Sequence, residues 1–357
     1  MKTRMVSALM LLLLGSCRMP TSSSAPTWQD LSLQNKLVVN LEIIENYLYA
    51  CAARDGLYRL NLNSTKAEWE YLGFADTSLP LATNAGVMTV CYNSFTKEIF
   101  VGINNPVSIS LGQVGLFKSA DMGKNWEQAD EGIHFLNIKQ TSIVKSLKCV
   151  GQQVFAGTNY SIYKRDGNTW KRVSGDNDLR SFAPISSICA DIRNPTYMVA
   201  GGESGFFTPF FLTSSDSGQT WIETNSATGM PAFDQGIWDV AMVNQKTIYA
   251  CMLQMIVKSE DTGRTWRPVY QMNMRFEPVW KIGINLANPE EFLATGISLV
   301  HSKDGGATSE SIPIPMDTHR PFALAIDWSN RTAYVSTISL SNPKSNVDFN
   351  SIYSVKF

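Results

Sequence analysis

Short apolar runs in which hydrophobic and polar residues alternate recur along the chain, and turn-forming residues separate them. Alternation with a period of two is typical of β-strands that bury one face. One kind of run, which ends in small residues, occurs seven times at similar intervals. These seven runs occupy residues 47–51, 98–102, 153–157, 197–201, 247–251, 291–295 and 332–336. The pattern therefore predicts a chain of seven similar β units, which is the sequence signature of a repeat architecture.

A polar motif of the form S-x-D-x-G-x-T/N-W occurs in three complete copies. A fourth copy has Ser309 in place of the Trp, and a fifth is one residue short. An Asp side chain can accept hydrogen bonds from backbone N–H groups across a tight turn. Gly can adopt a backbone conformation that is sterically unfavourable for other residues. We therefore interpret these residues as structural rather than catalytic. They are Ser119, Asp121, Gly123, Trp126, Asp166, Trp170, Ser214, Asp216, Gly218, Trp221, Ser259, Asp261, Gly263, Trp266, Asp304 and Gly306.

The motif resembles the Asp box, or BNR repeat, of β-propellers such as the sialidases, and this resemblance implies a propeller fold. The Trp of each copy opens a predicted fourth strand, and Trp69 and Ser309 complete a set of six. The last repeat ends without a fourth strand, whereas Trp28 near the N-terminus follows Thr27 as in the other fourth strands. We therefore expect an all-β chain, with residues 27–357 forming one seven-bladed propeller of four-stranded blades. The N-terminal strand would complete the last blade and remove its open edge.

The N-terminus has the layout of a secretory signal, with Lys2 and Arg4 followed by an apolar stretch too short to span a bilayer. Its end, Leu-Gly-Ser-Cys17, resembles a bacterial lipobox. We therefore expect a signal peptide at residues 1–16, acylation of Cys17 and a flexible tether at residues 17–26. This predicts a lipid-anchored protein of the bacterial cell envelope, periplasmic or at the cell surface, with the outer membrane favoured. The alternative is an ordinary secreted protein with a chance Cys.

Composition narrows the possible partners of the 357-residue chain. A formal net charge of -1 without long charged runs argues against nucleic acid as a partner. The chain has three His and scattered Cys, so we expect no metal and no cofactor. Five Cys remain after Cys17 and lie singly in apolar runs, which favours buried thiols over one or two disulfides. We expect a monomeric propeller.

Ligands of propellers usually meet the face opposite the Asp boxes, and the loops of that face carry the candidate binding residues. Trp238 and Trp280 begin innermost strands, where they either line the channel mouth or pack between blades. The Arg residues either bind a ligand or form a solvated rim with nearby carboxylates. The candidates are Arg54, His134, Arg180, Glu203, Asp234, Trp238, Arg275, Glu277, Trp280, His319 and Arg320.

Two classes of function agree with this fold, because architecture alone does not decide activity. The chain lacks the Arg-Ile-Pro segment that the sialidase resemblance would require, and its catalytic residues, if any, are unknown. Glu203, Asp234 and Glu277 are the carboxylates that a glycoside hydrolase could use. The architecture and anchor also resemble lipid-anchored photosystem II assembly factors. We therefore expect a non-enzymatic, membrane-tethered binding or assembly scaffold with a protein or glycan partner; the alternative is a carbohydrate-active protein.

Overall fold

The computed structural model of the protein describes residues 26–75, 86–104, 115–133, 144–174, 184–204, 208–224, 236–272, 277–315, 319–339 and 351–357. The predicted signal peptide, Cys17 and all of the predicted tether except Pro26 lie outside the described residues.

The described residues contain 28 β-strands. The first thirteen are β1 (Trp28–Asp30), β2 (Asn40–Ile44), β3 (Tyr47–Cys51), β4 (Leu57–Asn61), β5 (Trp69–Gly73), β6 (Gly86–Asn93), β7 (Glu98–Asn104), β8 (Gly115–Ser119), β9 (Glu127–Gln128), β10 (Val144–Val150), β11 (Gln153–Thr158), β12 (Ile162–Asp166) and β13 (Thr169–Arg172). The others are β14 (Ile185–Ala190), β15 (Met198–Ser204), β16 (Thr208–Ser214), β17 (Ile222–Glu223), β18 (Asp239–Met242), β19 (Ile248–Met252), β20 (Met255–Ser259), β21 (Arg267–Gln271), β22 (Lys281–Ile284), β23 (Phe292–Thr295), β24 (Leu299–Ser302), β25 (Glu310–Ile312), β26 (His319–Asp327), β27 (Thr332–Ser339) and β28 (Ile352–Lys356).

These strands form seven antiparallel four-stranded sheets, which confirms the predicted seven-bladed propeller. Blades 1 to 6 are each built from four consecutive strands, starting with β2–β5 and ending with β22–β25. Blade 7 consists of β26, β27 and β28, and β1 pairs with β28 as its outer strand. The innermost strands of consecutive blades contact each other around the ring, so that β26 returns to β2. The predicted closure by the N-terminal strand is therefore confirmed.

The core lies between the blades, where the second strands contribute large rings. Tyr49, Phe100, Phe155, Tyr249 and Phe292 belong to the second strands of five blades and are almost fully buried. Small residues follow them, such as Ala156 and Gly157 in β11, and let the next blade approach. A Cβ atom at Gly157 would lie 2.7 Å from Ile185 of the next blade. The apolar run that ends in small residues is thus the packing unit of the ring.

The propeller has two faces that differ in the turns they carry. One face, here called the turn face, carries the turns between first and second strands and between third and fourth strands. Backbone hydrogen bonds join these two kinds of turn within a blade, for example from Ser217 N to Thr196 O and from Gly305 N to Glu290 O. The opposite face, here called the mouth face, carries the remaining loops and surrounds the opening of the central channel.

Each of the four copies that contain a full S-x-D-x-G sequence forms the same kind of hydrogen-bonded turn. In blade 2, the Ser119 hydroxyl donates to Asp121 Oδ1 at 2.8 Å and accepts from Gly123 N at 2.8 Å. Asp121 Oδ1 also accepts from the N–H of Asn125 at 2.9 Å. The bonds from Asn125 and Ser119 lower the pKa of Asp121 to about 2. The same pattern recurs at Asp216, Asp261 and Asp304.

The shortened copy in blade 3 folds differently. Asp166 forms an ion pair with Lys171, and the Thr169 hydroxyl donates to the Asp166 carbonyl oxygen at 3.2 Å. The turn has only Gly167 and Asn168 between its strands, so there is no room for the four-residue span that the Asp side chain bridges elsewhere. Grouping Asp166 with the other aspartates overlooked this effect of the missing residue.

Tryptophans at the start of fourth strands tie neighbouring blades together. The indole N–H of Trp126 donates to Leu72 O of the preceding blade at 3.0 Å, and that of Trp170 donates to Ala129 O at 2.6 Å. Two such bonds flank the ring closure: Trp28 binds Pro313 O at 2.9 Å and Trp69 binds Leu31 O at 2.7 Å. The indole therefore adds a polar link to an apolar contact.

Blades 4 to 6 lack this link. The indole N–H of Trp266 donates to Gly263 O of its own turn, and Ser309 has no ring. Among the described residues, the buried Trp221 Nε1 has no hydrogen-bond partner. The tryptophans that form an indole bond to a neighbouring blade thus belong to blades 7, 1, 2 and 3, among the described residues.

Candidate functional site

The innermost strands enclose a central channel that widens at the mouth face into a cavity of about 500 Å³. The start of each innermost strand lies at this face because the preceding loop crosses it. The residues at these positions therefore face the cavity, whereas residues further along the strands line a second cavity of about 260 Å³ toward the turn face. The described residues that line the wider cavity include Glu42, Met88, Asn104, Lys145, Lys148, Ser187, Trp238, Asp239, Trp280, Lys281, Phe322 and Leu324.

Three aromatic side chains from blades 5, 6 and 7 form a continuous row along one side of this cavity. The rings of Trp238 and Trp280 are 5.0 Å apart at an angle of 63°. Trp280 and Phe322 are 4.7 Å apart at 77°. All three rings keep part of their surface exposed. The row is held in place because the backbone N–H of Trp238 binds Cys251 O and that of Trp280 binds Thr295 O.

The Trp238 side chain carries a polar group without a partner. Its Nε1 is buried, and no acceptor among the described residues forms a hydrogen bond with it. A buried indole N–H normally finds an acceptor, because an unmade hydrogen bond costs about 1–3 kcal/mol. The cavity wall therefore offers an apolar surface, and behind it lies a buried indole N–H without a partner among the described residues.

Charged groups of both signs lie where the two cavities meet. Asp239 accepts hydrogen bonds from Ser187 Oγ of blade 4 at 2.7 Å and from Ile282 N of blade 6 at 3.1 Å. Lys281 Nζ is 3.7 Å from Asp239 Oδ1. Glu42 stands inside the ring with its side chain open to the lumen. Burial by the surrounding blades raises the pKa of Glu42, although the positive charges of Lys148 and Lys281 oppose this effect.

Two of the candidate residues from the sequence, Trp238 and Trp280, line the wider cavity, and they also pack against each other. Glu203 lies at the end of β15 next to Gly236, with Oε2 buried. Burial lowers the pKa of Lys145 in the cavity wall, and the negative charge of Glu203 opposes the shift. Glu203 thus influences the cavity although it does not line it.

The remaining described candidates lie on the mouth face outside the cavity wall. Arg54 Nε is 3.9 Å from Asp55 Oδ2 in the loop after β3, and these side chains are only 20% and 18% exposed. The Glu277 carbonyl accepts from Gln254 N at 2.8 Å. His319 and Arg320 begin β26, where Arg320 Nη1 donates to His319 O at 3.1 Å. His134, Arg180, Asp234, Arg275 and Cys17 lie outside the described residues.

The charged residues of the innermost strands are not among the candidates from the sequence. Lys145, Lys148, Asp239 and Lys281 stand in strands whose other residues are mostly apolar, and Glu42 stands in β2 between Leu41 and Ile43. The signal in the sequence that could have identified them is a charged residue within an otherwise apolar strand. It indicates that one edge of the strand faces a lumen rather than another sheet.

Among the described residues, no group of three or more His, Cys, Asp or Glu side chains is placed to hold a metal ion. Their five cysteines, Cys51, Cys91, Cys149, Cys189 and Cys251, are free thiols. No helix in the described part of the chain is long and apolar enough to cross a membrane.

No protein-family model and no curated protein sequence matches this chain. Among solved structures, the propeller is similar to YCF48 from Cyanidioschyzon merolae, with a TM-score of 0.62 and 15% identity over 92% of this chain and 98% of that chain. It is also similar to YCF48 bound to D1 peptide, with a TM-score of 0.62 and 14% identity over 94% of this chain and 96% of that chain.

A xyloglucanase of the GH74 family from Xanthomonas campestris has a TM-score of 0.62 and 14% identity, over 87% of this chain and 53% of the enzyme. This chain thus spans about half of that enzyme. At such low identities, the similarities show a shared propeller fold, found both in YCF48 and in an enzyme, and they transfer no residue role.

Proposed function

We propose that this protein is a non-enzymatic binding scaffold that takes up a segment of a partner protein in the cavity on its mouth face. The row of Trp238, Trp280 and Phe322 beside the unpartnered Trp238 N–H carries the proposal. Partly exposed, rigidly held aromatic rings at a concave site are typical of protein-binding hot spots. Binding has to shift the groups that bury the Trp238 N–H before a backbone carbonyl of the segment can accept a hydrogen bond from it.

The charges of the cavity wall also suit a peptide. Glu42 and Asp239 bring negative charge, and Lys145, Lys148 and Lys281 bring positive charge, so the wall can pair with side chains of either sign. The complex of YCF48 with D1 peptide supports this choice of ligand, because it shows a propeller of the same fold with a bound peptide.

The proposed function also includes the N-terminal lipid anchor and a structural role for the Asp-containing turns. The lipobox-like sequence at Cys17 supports a mature protein held by lipid in the cell envelope, with the outer membrane favoured, and a monomeric propeller beyond a short tether. The hydrogen bonds around Asp121, Asp216, Asp261 and Asp304 support the assignment of these turns as Asp boxes with a structural role.

A crosslinked pull-down of the full-length protein from its native membrane tests the binding proposal. The Trp238→Ala, Trp280→Ala double variant is compared with Ile222→Ala, which removes an exposed apolar side chain on the outer strand of blade 4. We expect one stoichiometric protein partner with the wild type and with Ile222→Ala, and its loss with the double variant.

The milder variant Trp238→Phe keeps an aromatic ring but removes the N–H group and part of the apolar ring surface. We expect it to weaken capture of the same partner while leaving the thermal unfolding temperature close to that of the wild type. Equal capture by the wild type and the double variant, both confirmed as folded by circular dichroism, would contradict binding at the cavity.

Carbohydrate binding is the second candidate, because the faces of aromatic rings also suit sugar rings. The similarity to a xyloglucanase adds support at the level of the fold. Titration of the wild type with xyloglucan oligosaccharides, followed by tryptophan fluorescence, distinguishes the two candidates. A saturable change that the Trp280→Ala variant lacks would favour the glycan, and release of reducing sugar in the same sample would indicate hydrolysis.

A further inference from the structure

Three large apolar side chains are exposed in the same kind of turn on the turn face. Phe95, Ile192 and Leu286 are 63%, 68% and 41% exposed, and they lie in the turns between the first and second strands of blades 2, 4 and 6. Isolated exposed apolar residues are ordinary on protein surfaces. These three residues recur in the same turn of every second blade. Their side chains are here called the apolar tips of the turn face.

Each of these turns is held by an Asn or Asp side chain at its start. Asn93 Oδ1 accepts from Phe95 N at 3.0 Å, and Asp191 Oδ1 accepts from Arg193 N at 2.9 Å. Asn285 Oδ1 accepts from Ala287 N at 3.1 Å. These bonds fix the backbone next to each apolar tip, so little conformational entropy is lost when the tip meets a surface.

The chain enters the propeller on this same face. β28 ends at the turn face, because Phe357 N donates to Arg331 O in the turn between the first and second strands of blade 7. Trp28 pairs with Val355 near that end, and β1 runs antiparallel to β28. Residues that precede Trp28 therefore leave the propeller on the side of Phe95, Ile192 and Leu286.

We propose that the turn face rests on the lipid bilayer through Phe95, Ile192 and Leu286, so that the cavity on the mouth face points away from the membrane. This inference rests on the tether that is part of the proposed function. Ten residues from Cys17 to Pro26 reach at most about 35 Å when fully extended, so an acylated Cys17 keeps the turn face close to its membrane.

The spacing of the apolar tips favours lipid over a protein as the occupant. The three tips belong to different blades, and the turns of the blades between them have polar tips such as Glu45–Asn46 and Gly151–Gln152. A protein partner would need a matching pocket for each separate tip. Single apolar side chains can insert into a fluid bilayer at any lateral spacing. Their burial adds to the membrane-binding free energy that the acyl chain provides.

Lipid-quenching measurements test this orientation. The lipidated full-length protein is reconstituted in phosphatidylcholine vesicles and labelled with an environment-sensitive fluorophore at Phe95→Cys, Ile192→Cys or Leu286→Cys. Lys36→Cys, in the loop between β1 and β2 on the mouth face, is the matched control. Burial raises the pKa of the Cys51 thiol, so native thiols of this kind label slowly at neutral pH.

The partly exposed Cys149 and Cys189 are replaced by Ser in every labelled protein. We expect blue-shifted emission and quenching by spin-labelled lipids at the three turn-face positions and neither effect at position 36. Quenching at position 36, or no quenching at any position on vesicle-bound protein, would overturn the inference.

A second tether separates this inference from the proposed acylation. The variant Cys17→Ala with a hexahistidine segment in front of residue 17 is bound to vesicles that contain a nickel-chelating lipid. If the native protein fails to float with vesicles but the histidine-tethered protein shows the quenching pattern, the acylation is wrong and the orientation stands. If both proteins bind and neither shows the pattern, the orientation is wrong.

Discussion

Glu291 joins blades 6 and 7 through a buried carboxylate, and its removal tests how the ring is held together. The side chain is only 5% exposed. Arg331 of blade 7 donates two hydrogen bonds to it at 2.7 and 3.1 Å, and Asn285 donates one at 2.9 Å. His301 Nε2 lies 2.9 Å from Oε1. The bonds from Arg331 are the main cause that lowers the pKa of Glu291 from 4.5 to about 2.

The lowered pKa sets the size and the direction of the expected effect. Each pKa unit corresponds to about 1.4 kcal/mol, so the folded state gains about 3 kcal/mol from the ionised carboxylate. Because the pKa is lower in the folded state, this stability is fully present above pH 4.5. It is lost as the pH falls toward 2. We expect Glu291→Gln to lower the free energy of unfolding by about 3 kcal/mol at pH 7 and by about 1.4 kcal/mol at pH 3.

Urea denaturation at several pH values between 7 and 3 measures this difference. Glu310→Gln is the matched control, because Glu310 also contacts His301, at 2.9 Å, but is 61% exposed. An exposed pair contributes less than about 1 kcal/mol, so the control should be nearly neutral. A deficit of Glu291→Gln that stays the same at pH 7 and pH 3 would refute the electrostatic reasoning and point to packing.

Two further predictions concern the packing of the blades. Trp28→Phe removes the indole bond to Pro313 O, whereas Trp221→Phe removes a buried N–H without a partner among the described residues. Both variants lose the same ring atoms, so Trp28→Phe should cost about 1 kcal/mol more than Trp221→Phe in urea denaturation. An equal loss in both variants would show that ring size, not the hydrogen bond, matters. Gly218 has a φ of 69°, and a Cβ there would lie 2.4 Å from Phe155, so Gly218→Ala should cost about 2 kcal/mol. Gly151→Ala, at a φ of 57° with open space around it, should cost about 1 kcal/mol in the same assay, and equal costs would exclude the steric clash.

The second strands show how far the sequence determines the fold. The runs at residues 47–51 and 332–336 fall within β3 and β27. Their residues alternate between the two neighbouring blades: Tyr49 and Cys51 pack toward blade 2, whereas Leu48 and Ala50 pack toward blade 7. Trp28 could be assigned to the last blade because the sequence around it matches the other fourth strands. These features are local, so one sequence suffices to read them.

The cavity could be predicted only in part. Trp238 and Trp280 could be placed near the channel, but their row with Phe322 depends on how three blades are rotated about the ring axis. The bridging role of Asp239 depends on Ser187 and Ile282, which lie far from it in the chain. Distances across a ring follow from packing between all blades, and the alternation of residues in a single strand does not contain them.

The pairing of β1 with β28 also bears on when the propeller ring closes during folding. Asp30 and Ser351, which form a hydrogen bond at this pairing, are 321 residues apart. Chains fold from the N-terminus while they are made, and contacts between distant residues form late. Blades 1 to 6 can each form once their own four strands are available. In contrast, β1 stays unpaired until β28 is available. We therefore expect closure to be a late step of folding, and a chain that has not yet closed would expose both the unpaired β1 and the open edge of blade 7.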